Sequence, residues 1–246
     1  MKILIHGASS RIAHECARLW AGEGHALVLC GRSAARLETV AADLRVLASA
    51  PENIRTLVLD LADEAAARQT IAQEDARAGG FDLLLVAHGW LPDQAAAQRD
   101  PALLREAVEV NALSVAQLCE AAAALFEARR AGTIAVIGSV AGDRGRQSNY
   151  IYGASKGFVE RYCQGLRNRL HAAGVAVVLV KPGPTDTPMA RQLARPGKLA
   201  DPRDVARAIV RAVDRGQGVV YAPGIWRWIM TAIRWIPERA FVRLKL

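Results

Sequence analysis

Cysteine is scarce and without pattern. Cys16, Cys30, Cys119 and Cys163 are the only four in 246 residues, and no two form a Cys-x-x-Cys pair. That excludes a disulfide framework and a thiolate metal centre of recognisable spacing, and fits buried thiols in a reducing compartment. No metal ligand set is expected. Acids are the minority charge, 24 against 32 Lys and Arg, which leaves a formal charge of +8. A positive surplus suits anionic partners: phosphorylated ligands, nucleic acid or acidic lipid headgroups. Neither zinc-finger spacing nor a lysine-rich tract accompanies it, so nucleic acid is not expected. No uninterrupted apolar run reaches the ~20 residues that cross a bilayer. The chain enters a strand-like stretch at Lys2-Ile3-Leu4-Ile5, which leaves no room for a signal peptide and points to a cytoplasmic protein. Internal repeats, low-complexity tracts and interdomain linkers are lacking as well.

What is present is alternation. Short apolar, mostly β-branched stretches at residues 2–6, 26–30, 54–59, 81–87, 132–139, 175–180 and 219–221 read as strands buried on both faces. Helical patterns fill the gaps at 11–23 (closed by Gly24), 34–48, 101–129 and 150–173. A further helix starts at Asp63 as N-cap and ends before Gly79-Gly80, and another starts at Asp201-Pro202 and runs to Asp214. Asn111 interrupts the 101–129 pattern and predicts a bend there, where a polar side chain can satisfy loosened carbonyls or hold a water. Strand–helix alternation throughout predicts a single-domain α/β Rossmann-type fold: a doubly wound parallel sheet of about seven strands with helices on both faces. Residues 1–224 make that domain and 225–246 a basic, Trp-rich amphipathic tail.

The chemistry gathers around Ser139, Tyr152 and Lys156. Tyr152 and Lys156 are four apart, so on a helix they share a face. A phenol is a poor acid near neutrality, and an adjacent ammonium favours its ionised form. A serine hydroxyl can hydrogen-bond an oxygen on which charge grows. The set suits proton transfer at a carbonyl or alcohol while hydride moves at the carbon.

Loops at strand ends supply a nucleotide site. His6-Gly7-Ala8-Ser9-Ser10-Arg11-Ile12 lies between a strand and a helix, where backbone N–H groups and the helix dipole can hold a pyrophosphate. After the second strand stands Arg32, with Arg36 one turn on, in place of the acid that would bind both ribose hydroxyls of NAD. This favours NADP(H) over NAD(H). Asp60 can meet the adenine or cap the next helix. His88, in Val86-Ala87-His88-Gly89, is a polar neighbour of the cofactor or an acid–base group.

Together these residues resemble the short-chain dehydrogenase/reductase family over nearly the whole chain, 1–220. The resemblance rests on the Gly7-Ala8-Ser9-Ser10 turn, Asp60, Gly89, Asn111, Ser139, Tyr152, Lys156 and Pro182-Gly183-Pro184-Thr185-Asp186-Thr187, with Ser139 thirteen residues before Tyr152. It implies that Tyr152 is the acid, Ser139 orients the carbonyl, Lys156 holds the nicotinamide ribose and lowers the Tyr152 pKa, and Asn111 positions a relay water. It also implies cofactor contacts from Gly7, Ser9, Ser10, Arg11, Ile12, Arg32, Asp60, Leu61, Ala87, His88 and Gly89, and from Pro182, Gly183, Thr185 and Thr187. Homodimers or homotetramers are the family's habit. Two departures stand out: Arg11 and Ala13 occupy places where the family's turn has glycine, and Val86-Ala87-His88-Gly89 replaces its Asn-Asn-Ala-Gly. Arg11 forbids the closest backbone approach and adds a cation near the phosphates.

A narrower resemblance, carried by residues 139–150 and by Trp226-Arg227-Trp228-Ile229-Met230 with Ile236-Pro237-Glu238-Arg239, is to the subgroup containing decaprenylphosphoryl-2-keto-ribose reductase. It implies a keto-sugar on a polyprenyl phosphate as the carbonyl substrate. Arg144, Arg146 and Asn149, in the polar loop before Tyr152, would then be substrate contacts; otherwise that loop is solvated or faces another subunit. Trp226, Trp228 and Trp235 with Arg227, Arg234, Arg239, Arg243 and Lys245 suit peripheral contact with the inner face of the cell membrane. Alternatively the tail covers the cleft or a partner subunit. Rival functions are reduction of a hydrophobic carbonyl (3-oxoacyl thioester, steroid-like or sphingoid ketone) and nucleotide sensing without turnover.

Overall fold

The computed structural model describes residues 1–60, 64–191 and 199–244. Leu61, expected beside the cofactor, Asp63, expected as a helix cap, and Lys245 of the tail lie outside the described residues. The strands are β1 Lys2–His6, β2 Ala26–Gly31, β3 Ile54–Val58, β4 Leu83–Val86, β5 Thr133–Ile137, β6 Ala176–Pro182 and β7 Val219–Ala222. All pair in parallel in the order β3-β2-β1-β4-β5-β6-β7. The order turns back on itself between β1 and β4, so a crevice opens there at the carboxyl ends of the strands, where ligands of such sheets bind.

The helices are α1 Arg11–Gly22, α2 Ala34–Leu47, α3 Glu64–Ala78, α4 Gln94–Ala97, α5 Pro101–Val108, α6 Ser114–Arg129, α7 Tyr150–Leu170, α8 Pro188–Arg191, α9 Pro202–Asp214, α10 Ile225–Trp235 and α11 Glu238–Phe241. Alternate strand residues face opposite layers. Ile3, Ile5, Leu27 and Leu29 pack with residues of α1, α2 and α9, whereas Leu4, Val28, Leu84 and Val86 pack with residues of α6 and α7. Each such buried Leu, Ile or Val contributes roughly 1.5–3 kcal/mol. Both faces are therefore covered, as the apolar strand runs predict. The four cysteines are free and buried.

Asp201 caps α9 as expected, its side chain accepting from the Arg203 N–H at 2.8 Å, with Pro202 in the first turn. The bend expected at Asn111 is a π-turn, Glu109–Leu113, joining α5 to α6. The continuous run Pro101–Arg129 has the length and mean hydropathy (1.2) of a membrane span, yet half of that window is buried inside the fold, the position of a core helix.

Strand ends depart from the sequence expectation where a side chain takes over a backbone bond. The Phe81 N–H donates to Asp75 Oδ1 at 2.8 Å, and β4 starts after it. β6 extends beyond Val180 because Lys181 and Pro182 pair with Tyr221 and Ala222 of β7, and the almost wholly buried Lys181 has two anionic partners, Asp143 and Glu160. The tail is no separate appendage. Met230 of α10 is fully buried, and the Trp226 indole lies so close to Gly183 that a Cβ there would come within 1.9 Å of its Nε1.

Candidate active site

β5 ends beside the first turns of α7, and Gly142 and Gly153 let the connecting loop close onto that helix. A Cβ on Gly142 would sit 2.8 Å from the Lys156 backbone, and one on Gly153 would sit 2.9 Å from the Ala141 carbonyl oxygen. Ser139 caps the 3-10 turn Val140–Gly142, its hydroxyl accepting from the Ala141 N–H at 3.1 Å. The same hydroxyl lies beside the Tyr152 phenol and favours its ionised form. One turn on, the buried Lys156 Nζ donates to the Ile137 carbonyl at 3.3 Å and lies 5.8 Å from the centre of the Tyr152 ring. Ser139, Tyr152 and Lys156 are thus brought together as predicted.

Their electrostatics differ from the sequence expectation. Desolvation pushes the Tyr152 phenol up to about 12, with the Ser139 hydrogen bond pulling the other way. Desolvation pulls the Lys156 ammonium down to about 8. Loss of hydration dominates both shifts, and it moves the phenol opposite to the direction that a neighbouring ammonium favours. Tyr152 rests as a neutral acid, and Lys156 is the group that titrates near neutrality. An ammonium carries three donors. Among the described residues Lys156 has one hydrogen bond, so it retains capacity for ligand oxygens.

Asn111 is fully buried in the π-turn, and both ends of its amide are engaged by one residue. Oδ1 accepts from the Trp90 N–H at 2.8 Å, and Nδ2 donates to the Trp90 carbonyl at 2.7 Å. The side chain thereby fastens the segment after β4 to the π-turn. A Cβ on Gly89 would meet Asn111 Oδ1 at 3.1 Å and Lys156 Nζ at 3.5 Å. Gly89 therefore keeps open the space where Asn111 and Lys156 converge.

At the nucleotide end, Gly7 has φ +81° and presses on β4's terminus: a Cβ there would lie 2.5 Å from the His88 N. Only glycine combines that φ with that approach. Ser10 precedes α1 with extended backbone and no side-chain cap bond. Ser9 is exposed, Ile12 and Ala87 are buried, and Ala13 packs in the core with α1. Arg11 pairs with Glu15 at 2.7 Å, so the expected extra phosphate cation already has an anionic partner. Arg32 and Asp60 are exposed at the ends of β2 and β3. Arg32 lowers the proton affinity of both His6 and His88.

His6 was not expected in the site. Its Nδ1 meets His88 Nδ1 at 3.0 Å, His88 Nε2 meets Ser114 Oγ at 2.9 Å, and Ser114 donates to the Val110 carbonyl at 3.0 Å. The chain fixes the proton positions. Ser114, donating onward, accepts from His88 Nε2–H, which leaves His88 Nδ1 to accept from His6 Nδ1–H. His6 Nε2 is then a buried acceptor with no partner. Burial, with the Arg32 charge second, lowers His6 to about 4, and burial, with the His6 charge second, lowers His88 well below 6.5. His88 is therefore a neutral, locked residue, not a titrating acid–base group.

In the proline-glycine segment, the Thr185 hydroxyl is buried and donates to the Gly183 carbonyl at 2.9 Å, whereas Thr187 caps α8 through the Ala190 N–H at 3.3 Å. Pro182 ends β6 and Gly183 carries the Trp226 indole.

Arg144 is the clearest correction among the expected substrate contacts. Its guanidinium donates to the Ile233 and Ile236 carbonyls at 2.6 Å each and to Glu238 at 2.8 Å, and it stacks 3.7 Å over the Phe241 ring. It fastens the tail to the loop, with both of its Nη atoms engaged there. Asp143 fastens the same loop to the sheet, bound by Lys181 and by the Tyr221 hydroxyl at 2.7 Å. Arg146 and Asn149 remain available: Arg146 Nε and Asn149 Oδ1 are buried without partners.

A parallel α/β sheet with a nucleotide turn at its switch point and a Ser–Tyr–Lys set beside it defines a dinucleotide-dependent oxidoreductase. The chain belongs to the short chain dehydrogenase family, whose profile matches residues 1–197. It is 32% identical over 242 residues to an uncharacterized oxidoreductase of Mycobacterium tuberculosis, covering 98% of this chain and 96% of that one. It is also 32% identical to sulfoacetaldehyde reductase 2 of Chromohalobacter salexigens over 187 residues, 75% of this chain and 73% of that one. Among solved structures, a short-chain dehydrogenase from Sphingobium yanoikuyae in complex with NADPH superposes with TM-score 0.77 at 28% identity, covering 97% and 99% of the two chains.

Proposed function

We propose that the chain reduces a carbonyl, or oxidises the corresponding alcohol, with NADP(H) as the hydride carrier. The observation that carries this reading is the half-buried Tyr152 one turn from the buried Lys156, with Ser139 beside the phenol. When bound, the nicotinamide supplies or accepts the hydride. The residues present fit such a group: Lys156 has unmet donors, Ser10 and the α1 amides are open to a pyrophosphate, and Arg32 stands exposed where a 2′-phosphate would lie. Ser139 holds the substrate oxygen, Tyr152 gives it a proton, and Lys156 returns one through the space kept by Gly89 beside the Asn111 turn. Desolvation makes each of these hydrogen bonds stronger than in water.

For the substrate the reading is an oxygen-rich carbonyl, a keto-sugar on a polyprenyl phosphate. Two features support it. Arg146 and Asn149 carry unpaired polar atoms in the loop before Tyr152. Ile225, Trp228, Ile229 and Trp235 form an exposed stripe on α10, Trp235 at 82% exposure, flanked by Arg227 and Arg234. Such a stripe suits the interface of an anionic membrane, at the cytoplasmic face. That apolar stripe also favours a second reading, reduction of a hydrophobic carbonyl. A family-like dimer or tetramer fits either.

The test offers purified protein, with NADPH or NADH, a lipid-linked keto-pentose in anionic vesicles, a 3-oxoacyl thioester and a steroid-type ketone. The first reading expects NADPH-dependent turnover of the keto-pentose to exceed the others at least tenfold in kcat/KM. Faster turnover of either hydrophobic ketone replaces it with the second.

A further inference from the structure

An asparagine directly before a helix usually accepts a hydrogen bond from the second or third helical N–H. Asn149 stands before α7 and makes no such bond. Its task has passed to another element: Gln94 Oε1, at the start of α4, accepts from the Ile151 N–H at 3.1 Å. The displaced asparagine keeps its Oδ1 buried and unpaired, and the gain of a cap leaves Gln94 Nε2 buried and unpaired as well. Arg146 Nε, three residues before Asn149, is the third such atom. Among the described residues six buried side-chain atoms lack hydrogen-bond partners. One of them, Asp143 Oδ1, is ion-paired with Lys181. Three of the other five belong to residues on or bonded to the segment just before Tyr152. Leaving a buried polar atom unpaired costs about 1–3 kcal/mol, so a cluster of them beside a proton donor marks ligand-binding capacity.

We infer that Gln94, Arg146 and Asn149 form a specificity site that recognises hydroxyl groups flanking the substrate carbonyl. This inference deepens the reading of an oxygen-rich carbonyl and rests on Tyr152 being the proton donor. The donor–acceptor pattern sets the ligand chemistry. Gln94 Nε2–H and Arg146 Nε–H offer hydrogen to acceptor oxygens, and Asn149 Oδ1 accepts from a hydroxyl. The Gln94 orientation is fixed by the Ile151 N–H, which only its oxygen can accept. A hydroxyl both donates and accepts and so satisfies every member. A plain alkyl ketone would leave all three atoms unmatched, the circumstance in which a polar site discriminates strongly.

The decisive variant is Gln94→Glu. A carboxylate keeps the bond to the Ile151 N–H, and its charge suits a helix N-terminus, but it converts the free donor into an acceptor. Steady-state rates with NADPH are compared for 1,3-dihydroxy-2-butanone and 2-butanone in wild type, Gln94→Glu and Asn149→Ala. The wild type is expected to prefer the dihydroxyketone, and each variant to lose at least tenfold of that preference, chiefly through KM, with melting temperature held in Gln94→Glu. An unchanged preference in a folded Gln94→Glu overturns the inference. Saturation-transfer NMR with erythritol gives a readout free of turnover: transfer in wild type that is weakened in both variants supports the site, and its absence in wild type overturns it. Should neither ketone be turned over, the erythritol signal alone decides the site, and the catalytic reading is decided by the lipid-linked keto-pentose.

Discussion

Tyr152 with Lys156 on α7, and His6 with His88 at the ends of β1 and β4, are two pairs of titratable side chains, each with one buried and one half-buried member, in neighbouring parts of one crevice. Burial raises the phenol to about 12 and lowers the ammonium to about 8. It lowers His6 to about 4 and His88 well below 6.5. The first pair keeps one group that changes charge near neutrality and a second that holds its proton until a reacting oxygen takes it. The second pair is silenced: each imidazole is neutral, its tautomer fixed by a run of hydrogen bonds ending on the Val110 carbonyl. Desolvation thus prepares proton transfer where ligand atoms can enter, and suppresses it where the partners are the protein's own.

Three measurements would break or sharpen that contrast. The largest effect is expected from Tyr152→Phe, which removes the hydroxyl proposed to give the proton. Turnover should fall roughly a thousandfold, the scale of a lost general acid, while NADPH binding, read by fluorescence, stays intact. Retained turnover would remove Tyr152 from the chemistry. Next comes the pH profile. The Lys156 ammonium loses its proton as pH rises through about 8, so kcat/KM for reduction should be flat below that value and fall about tenfold per unit above it. Lys156→Met should lower the plateau and abolish the bend.

The smallest effect is on stability. His6 and His88 have folded pKa values below the unfolded 6.5, so the unfolded chain binds protons that the folded one refuses. Their contribution is fully present above pH 6.5 and is lost as pH falls below it, for His6 by at most about 1.4 kcal/mol per pH unit down to about 4, and in the same direction for His88. Urea melts at about pH 7, 6 and 5 measure the slope. His88→Asn should flatten it and leave kcat near neutral pH within about twofold, since the imidazole takes no part in proton transfer. A large loss of kcat with stability unchanged would return His88 to the catalytic set.

Much of the architecture is legible in the sequence because it is local. Apolar strand runs, the Asp201-Pro202 start and the four-residue spacing of Tyr152 and Lys156 are each decided within a few neighbours. Asn111 marks a bend because a polar side chain in an apolar helical stripe must find partners that a regular helix does not offer, although the π-turn itself shows only in three dimensions. What escapes the sequence is long-range. Lys181 follows the run Val177-Val178-Leu179-Val180, and nothing nearby announces that Asp143 and Glu160 converge on it. Gln94 is an ordinary glutamine until α4 sets it against α7. The direction of the Tyr152 shift is hidden too, because spacing records a neighbouring charge but not the loss of water around it. Arg144 resembles a phosphate ligand in the sequence because its partners are carbonyls some ninety positions further on.

That last contact has a consequence for truncation. The segment between Ser139 and Tyr152 obtains its outer restraint from Ile233, Ile236, Glu238 and Phe241, a stretch that follows every strand of the sheet in the chain. A chain cut before Ile233 would keep all seven strands and lose the clasp on the loop that leads to Tyr152.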